Sequence, residues 1–398
     1  KAVAVSGSLP VEIENEEAFA EAAKEAHKTV SKSFYTSMLK QLGTSGYTEM
    51  AETYGDLPIK YYSSGTFDAE KISGAKMKKT ILTGNYHCYG CPIGCGRKVK
   101  IRGMEIDGPE YETIGTFGSM CLNENLEAIC DANYLCNKYG MDTISCGVTI
   151  SFAFFLYESG KIKKDEIGFE LNWGDVEAIK NLVEMTAYRR GFGDVLAEGT
   201  RALGNKYGAE EQACAVKGLE IPMHDPRAFF SLASEYATSN RGACHLQGAP
   251  YMVEIGYGIK ELNMLPSDRF SNDGKGVLTA RNQNYMAVYD SLIMCKFCIP
   301  APKQIADMLS HATGFHYDIK ELNLAGERIC NLKRAFNNRC GIARKDDELP
   351  KHMLNPIKEG GTKGNVPDME KQLRDYYEFR RWDRGTGKPE KEKLLELG

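Results

Sequence analysis

Three cysteines crowd into eight residues, within His87-Cys88-Tyr89-Gly90-Cys91-Pro92-Ile93-Gly94-Cys95-Gly96. This C-x2-C-x3-C run constrains the chain more than any other feature. Its glycines and proline favour a turn over helix or strand, so the three thiols can converge on one centre. Zinc asks for four tetrahedral ligands and iron–sulfur clusters ask for four thiolates. A fourth ligand must therefore arrive from elsewhere, and the absence of a second C-x2-C beside the first argues against a zinc ribbon. The plain alternative is three buried apolar thiols, but such cysteines seldom gather in a turn. Cys295 and Cys298, in YDSLIMCKFCIP, form a second local pair, and one of them is the natural fourth ligand.

The chain holds 13 cysteines in 398 residues. An odd count in so long a chain does not suit a secreted disulfide framework and points to reduced thiols in a cytoplasmic setting. Cys130, Cys136, Cys146, Cys214, Cys330 and Cys340 lack metal-like company and read as ordinary thiols, while Cys121 stays open. With 42% hydrophobic and 26% charged residues the chain can bury a core, which excludes a disordered protein. Lysine and arginine number 50 against 54 acidic residues, so no global charge draws the protein to nucleic acid or an anionic membrane. The longest apolar stretch, 144–157, is interrupted by Ser, Thr and Gly and is shorter than the ~20 residues of a membrane span.

Helical periodicity dominates the rest. Asn15 is placed to cap a helix whose Phe19, Ala23, Ala26, Val30, Phe34 and Met38 recur at three- and four-residue steps up to Gly43. Residues 44–66 read as loop. Further helices are expected over 124–139 with Gly140 as stop, over 143–157 as a buried element, after Asp175, over 269–299 and over 318–335. The charged last forty residues are expected to wrap the surface. The opening KAVAVSG reads as a lone strand, the last of something upstream. The expected fold is mainly α: an opening strand over residues 1–8, one helical domain over 9–215 and another over 216–398.

Several motifs together resemble the tungsten-containing aldehyde ferredoxin oxidoreductases. They are AEKISGAK (69–76), CYGCPIGC (88–95), GPEYETIGTFGS (108–119), CNKYGMDTIS (136–145), VKGLEIPMHDPR (216–227), YATSNRGACHLQG (236–248), DSLIMC (290–295) and RKDDELP (344–350). The resemblance implies a [4Fe–4S] cluster on Cys88, Cys91, Cys95 and Cys295, and a tungsten (or molybdenum) bis-pterin cofactor. The family's D-x-x-G-L-C pattern appears as Asp290 to Cys295, with Ile293-Met294 in place of Gly-Leu, and Asp290 matches its pterin-binding aspartate. The sister pattern D-x-x-G-L-D runs from Asn137 to Asp142. Asn137 keeps a pterin hydrogen bond but loses the charge, and a polar helix end explains it equally well. Glu112 matches the family's carboxylate near the metal, and His245 its histidine. Glu110 is the competing carboxylate. His224 lies in MHDPR, where a turn and an Asp–Arg pair suffice, and it is left outside the catalytic set. The family's E-x-x-H iron site at a dimer interface falls on Asp131 and Tyr134, and tyrosine there argues against that iron.

The activity so implied is oxidation of an aldehyde to its acid, with electrons passing through the cluster to ferredoxin or another electron-carrier subunit. A homo-oligomer stays open. In this reading Glu112 takes a proton and His245 donates a hydrogen bond to the carbonyl oxygen. Three other readings compete: a tungsten subunit like that of benzoyl-CoA reductases, a cluster-only electron-transfer module, and a structural zinc protein. The first places a metal-ligating cysteine where Glu112 stands, which favours aldehyde oxidation.

Overall fold

The computed structural model describes residues 4–398. Helices hold 54% of the residues and strands 6%, so the protein is mainly α, as its periodicity predicts. Asn15 caps the first helix, Glu16–Lys32, by accepting from the Ala18 N–H at 3.0 Å. The run that reads as one helix up to Gly43 is two, because Ser33 turns extended and Phe34–Leu42 starts afresh. Thr29-Val30-Ser31-Lys32-Ser33 is a poor helix stretch, and the Thr36 hydroxyl donates to the carbonyls of Val30 (2.5 Å) and Ser33 (3.0 Å) across the break. Gly43 ends the second helix at φ +67°.

Polar caps set several other helix starts. Asn125, Asp142, Asp175 and Asp318 accept from backbone N–H groups at the heads of Leu126–Tyr139, Thr143–Glu158, Val176–Ala187 and Ile319–Arg339. Gly140 closes the first of these in the left-handed region, φ +69°. Thr143–Glu158 is buried along most of its length.

The structure corrects four further expectations. Residues 44–66 are not all loop: a 3-10 turn, Thr44–Tyr47, and a helix, Thr48–Tyr54, form where Ala51 packs into the core. The helix expected over 269–299 is shorter, Lys275–Ser291, bounded by left-handed Gly274 and Ile293. The last forty residues do not merely wrap the surface. Met369–Arg380 lies against Lys275–Ser291, and Leu373, Tyr376 and Tyr377 are buried with Trp382. Its Arg380 is fully buried yet satisfied, donating to Gln283 Oε1, the Ala280 carbonyl and Asn284. Finally, residues 1–3 of the expected opening strand lie outside the described residues, and 4–8 have no regular structure.

Among the described residues the strands are few. Leu82–Tyr86, Gly96–Ile101 and Met104–Asp107 form an antiparallel sheet in sequential order, and Ala215–Val216 pairs with Leu219–Glu220. The first sheet matters for function, since residues 87–95 connect its first two strands. The 215/216 division falls on the small hairpin. The largest apolar cluster draws side chains from both sides of it, including Phe152 and Tyr236. No helix among the described residues is long and apolar enough to cross a membrane.

Candidate functional site

The cysteine loop is held by its carbonyls, which leaves its thiols available. Arg97, 1% exposed, donates to the carbonyls of Gly94 (2.6 Å), Cys95 (3.0 Å) and Lys40 (3.1 Å). Gly94 sits at φ +68° beneath the His87 ring, where a Cβ would lie 2.4 Å from the imidazole. His87 Nδ1 is 3.0 Å from the Cys91 carbonyl. The Ile93 N–H points at Cys91 Sγ (3.4 Å). Far along the chain, the Phe297 N–H points in the same way at Cys295 Sγ (3.4 Å).

These two loops meet. Cys91, Cys95, Phe297 and Cys298 pack on one small apolar cluster of Val30, Leu39 and Ile93. The thiols also sense one another electrostatically. Burial pushes Cys95 up to about 11, with Glu110, Cys295, Cys91 and Cys88 adding to the effect. The hydrogen bond with Cys298 lowers Cys295 to about 6 and raises Cys298. Cys88 and Cys295 are exposed, Cys91, Cys95 and Cys298 half-buried. Clustered thiols with backbone N–H groups aimed at sulfur are a donor set that fits an iron–sulfur cluster.

The three residues expected to contact the pterins all stand at helix ends. Asp290, in the last turn of Lys275–Ser291, accepts from Lys296 Nζ at 2.9 Å, which ties the helix end to the Cys295–Cys298 loop. Asn137 lies exposed in the last turn of Leu126–Tyr139, and Asp142 caps Thr143–Glu158 through the Ser145 N–H (2.7 Å). Ile293 occupies the position of the motif's glycine and adopts φ +56°, a left-handed conformation that a β-branched residue rarely takes.

Glu112 and His245, distant in sequence, converge. Glu112 is in the first turn of Tyr111–Phe117, and its Oε2 accepts from the Met223 N–H (2.8 Å). Its Oε1 is 3.3 Å from His245 Nε2 and 3.7 Å from His224 Nε2, and among the described residues it has no hydrogen-bond partner. Burial holds the Glu112 carboxyl up at about 7, against the attraction of His224. Burial drives His245 well below its ordinary value, and the charges of His224, Arg241 and Lys296 add to this, so its imidazole is neutral. Glu110 is apart from this group: its carboxylate accepts from Thr44 and faces Arg97.

His224 is the member that sequence reasoning left out. The Asp225–Arg227 pair expected in MHDPR is there, with Arg227 Nη2 2.6 Å from Asp225 Oδ2. His224, however, points the other way, with Nδ1 2.6 Å from Asp56 Oδ2. Tyr47 donates to the same Asp56 oxygen at 3.0 Å. No local signal could have found Asp56, which stands in an unremarkable Gly55-Asp56-Leu57 turn 168 residues away. Beside the group opens a cavity of about 310 Å³, lined by Leu246, Tyr251, Tyr257, Tyr285, Lys296 and Phe297 among others. Tyr251 joins the two, its ring centroid 4.6 Å from that of His224.

Residues 21–398 match the family model described as aldehyde ferredoxin oxidoreductase, domains 2 and 3. The chain belongs to the aldehyde ferredoxin oxidoreductase family. It is 36% identical over 410 residues to the tungsten-containing aldehyde ferredoxin oxidoreductase of Pyrococcus furiosus, and 35% identical to that of Thermococcus kodakarensis. Both alignments take in the whole chain and 66% of the relative, so the chain spans just under two thirds of their length. A WOR-like subunit of an aliphatic sulfonate oxidoreductase from Pyrococcus furiosus is 28% identical, covered over 64% of its length. Among solved structures, the active-site complex BamBC of benzoyl coenzyme A reductase, with 1,5-dienoyl-CoA, aligns over 97% of this chain and 65% of that one. Its TM-score of 0.77 at 20% identity shows a shared fold.

Proposed function

We propose that this chain belongs to an enzyme that oxidises an aldehyde to its carboxylic acid and sends two electrons through a [4Fe–4S] cluster to ferredoxin or another carrier. The observation that carries the reading is the enclosed Glu112 oxygen, unpartnered and 3.3 Å from a neutral His245, beside an aromatic cavity. Cys88, Cys91, Cys95 and Cys295 hold the cluster in this reading, while Asp290, Asn137 and Asp142 contact the pterins. Residues 9–215 and 216–398 serve as the family's domains 2 and 3. When bound, a tungsten or molybdenum bis-pterin supplies a Lewis acid and a two-electron acceptor.

The side chains divide the remaining work. Glu112, with its pKa held up at about 7, takes the proton of the water that adds to the aldehyde carbon. His245, kept neutral by burial, offers its ring N–H to the carbonyl oxygen where negative charge grows. The apolar wall of the cavity excludes bulk water from the reacting carbon.

Metal analysis and turnover test this. Anaerobically purified enzyme is expected to hold tungsten or molybdenum with about four irons per chain, and to reduce an artificial acceptor only when an aldehyde is supplied. Glu112→Gln should keep both metals and lose at least about 100-fold in turnover. Iron alone would leave only the electron-transfer module, zinc alone would defeat both, and an active Glu112→Gln enzyme would remove Glu112 from the mechanism.

A further inference from the structure

Aldehyde oxidation with water releases two protons and two electrons, and Glu112 Oε1 lies where solvent does not reach it. A proton it accepts must therefore move on before the next turnover. Two imidazoles are within reach of Glu112 Oε1, and they differ in what stands behind them. His245 has Arg241 and Lys296 in its surroundings, and both oppose a positive charge there. Behind His224 stands Asp56, a fully buried carboxylate 2.6 Å from Nδ1.

We infer that Asp56 and His224 form a proton-accepting pair that empties Glu112 and so positions it, deprotonated, for the next aldehyde. This rests on the aldehyde reading above. In the step the O–H bond at Glu112 Oε1 breaks and an N–H bond forms at His224 Nε2, while Nδ1–H stays bonded to Asp56. Nothing is oxidised or reduced, the imidazolium formed is neutralised by Asp56, and its Nε2–H bond breaks again to water in the adjoining cavity once the acid product has left. The present gap of 3.7 Å closes to hydrogen-bond length with a side-chain movement of about 1 Å.

The surroundings agree with this direction of transfer. Burial disfavours charge on His224, but the contact with Asp56 outweighs it and raises the imidazole above its ordinary value. Tyr47 donates to Asp56, and Tyr236 donates to the His224 carbonyl, which fixes both partners. The other titratable groups facing the pair are Tyr111 and Tyr251, whose rings tilt against His224, together with His245, and the charged Asp225 and Arg269 near Asp56. The tyrosines stay protonated, and Asp225 is paired with Arg227. Placing a charge pair here has a structural cost that a purely packing histidine would not need.

The test uses the metal-loaded enzyme and two variants, His224→Gln and Asp56→Asn, each accepted only if the cluster's visible absorbance is retained. Both are expected to lower kcat by about 10- to 100-fold with KM for the aldehyde within about twofold. In His224→Gln the acidic limb of the kcat/KM profile should move up by about one pH unit, because the first proton taken up then rests on Glu112 instead of His224. A packing defect would lower the whole profile without moving its limb, and that outcome, or an unchanged kcat in both variants, overturns the inference. Infrared titration of the protonated-carboxyl band that Glu112→Gln abolishes decides the pair without turnover. The band should persist to higher pH in His224→Gln, and an unmoved band refutes the pair. A parent enzyme that turns over no aldehyde refutes the aldehyde reading instead, whatever the band does.

Discussion

Glu235 offers a prediction whose size follows from burial alone. It lies in the Ser231–Thr238 helix with no exposed surface, and its Oε2 accepts from Gln283 Nε2 at 3.1 Å. Its Oε1 has no hydrogen-bond partner among the described residues. Burial holds the carboxyl up at about 8 from an ordinary 4.5, although Gln283, Lys296 and Arg380 favour the charge. The folded protein therefore keeps this proton through neutral pH, whereas the unfolded chain has released it. Folding takes up a proton, so stability falls as pH rises from 4.5 to about 8, by about 1.4 kcal/mol per pH unit. Over that window the loss reaches roughly 5 kcal/mol. Glu235→Gln keeps the shape of the protonated acid and cannot ionise. Parent and variant should agree within about 1 kcal/mol at about pH 5, and the variant should be more stable by roughly 3–4 kcal/mol at about pH 8. Urea denaturation of reduced, cluster-free protein at a series of pH values across that window measures this, since other titrating groups are common to both proteins. A difference that stays constant with pH would refute the reasoning.

Other substitutions probe the two loops and the packing. Cys295→Ala should abolish the cluster's visible absorbance and Cys298→Ala should spare it, whereas the reverse moves the fourth ligand by three residues. Ile293 is 94% exposed at φ +56°, so Ile293→Gly gives up little burial and relieves a left-handed β-branched residue. Its denaturation midpoint should rise by about 1 kcal/mol equivalent, and a fall would show that the loop is not strained. At Gly326 in Ile319–Arg339 a Cβ would lie 2.0 Å from the Asn284 carbonyl oxygen of the neighbouring helix. Gly326→Ala should therefore part the helices and cost about 1–3 kcal/mol in urea denaturation, and an unchanged midpoint would contradict that close approach.

What the sequence alone determined here is local or chemical. Asn15 and Asp175 mark helix starts because a cap acts over three residues, and Gly140 marks a stop because its own φ decides it. The cysteine run marked three thiols for one loop because its spacing is local, and motif resemblance singled out Glu112 and His245, which the fold brings together. The hidden break at Ser33 and the three-stranded sheet were less visible, since weak propensities yield to packing. The buried role of Met369–Arg380 was hidden too, because Tyr376, Tyr377 and Trp382 stand among charges whose burial depends on partners elsewhere. Only the tertiary structure brought the Cys88–Cys95 loop against the Cys295–Cys298 loop, turned His224 away from Asp225, and set Asp56 behind it. Such meetings rest on the packing of whole helices far apart along the chain. A one-residue capping bond can be read from its own neighbours, but the meeting of Glu112, His224 and Asp56 in the core cannot.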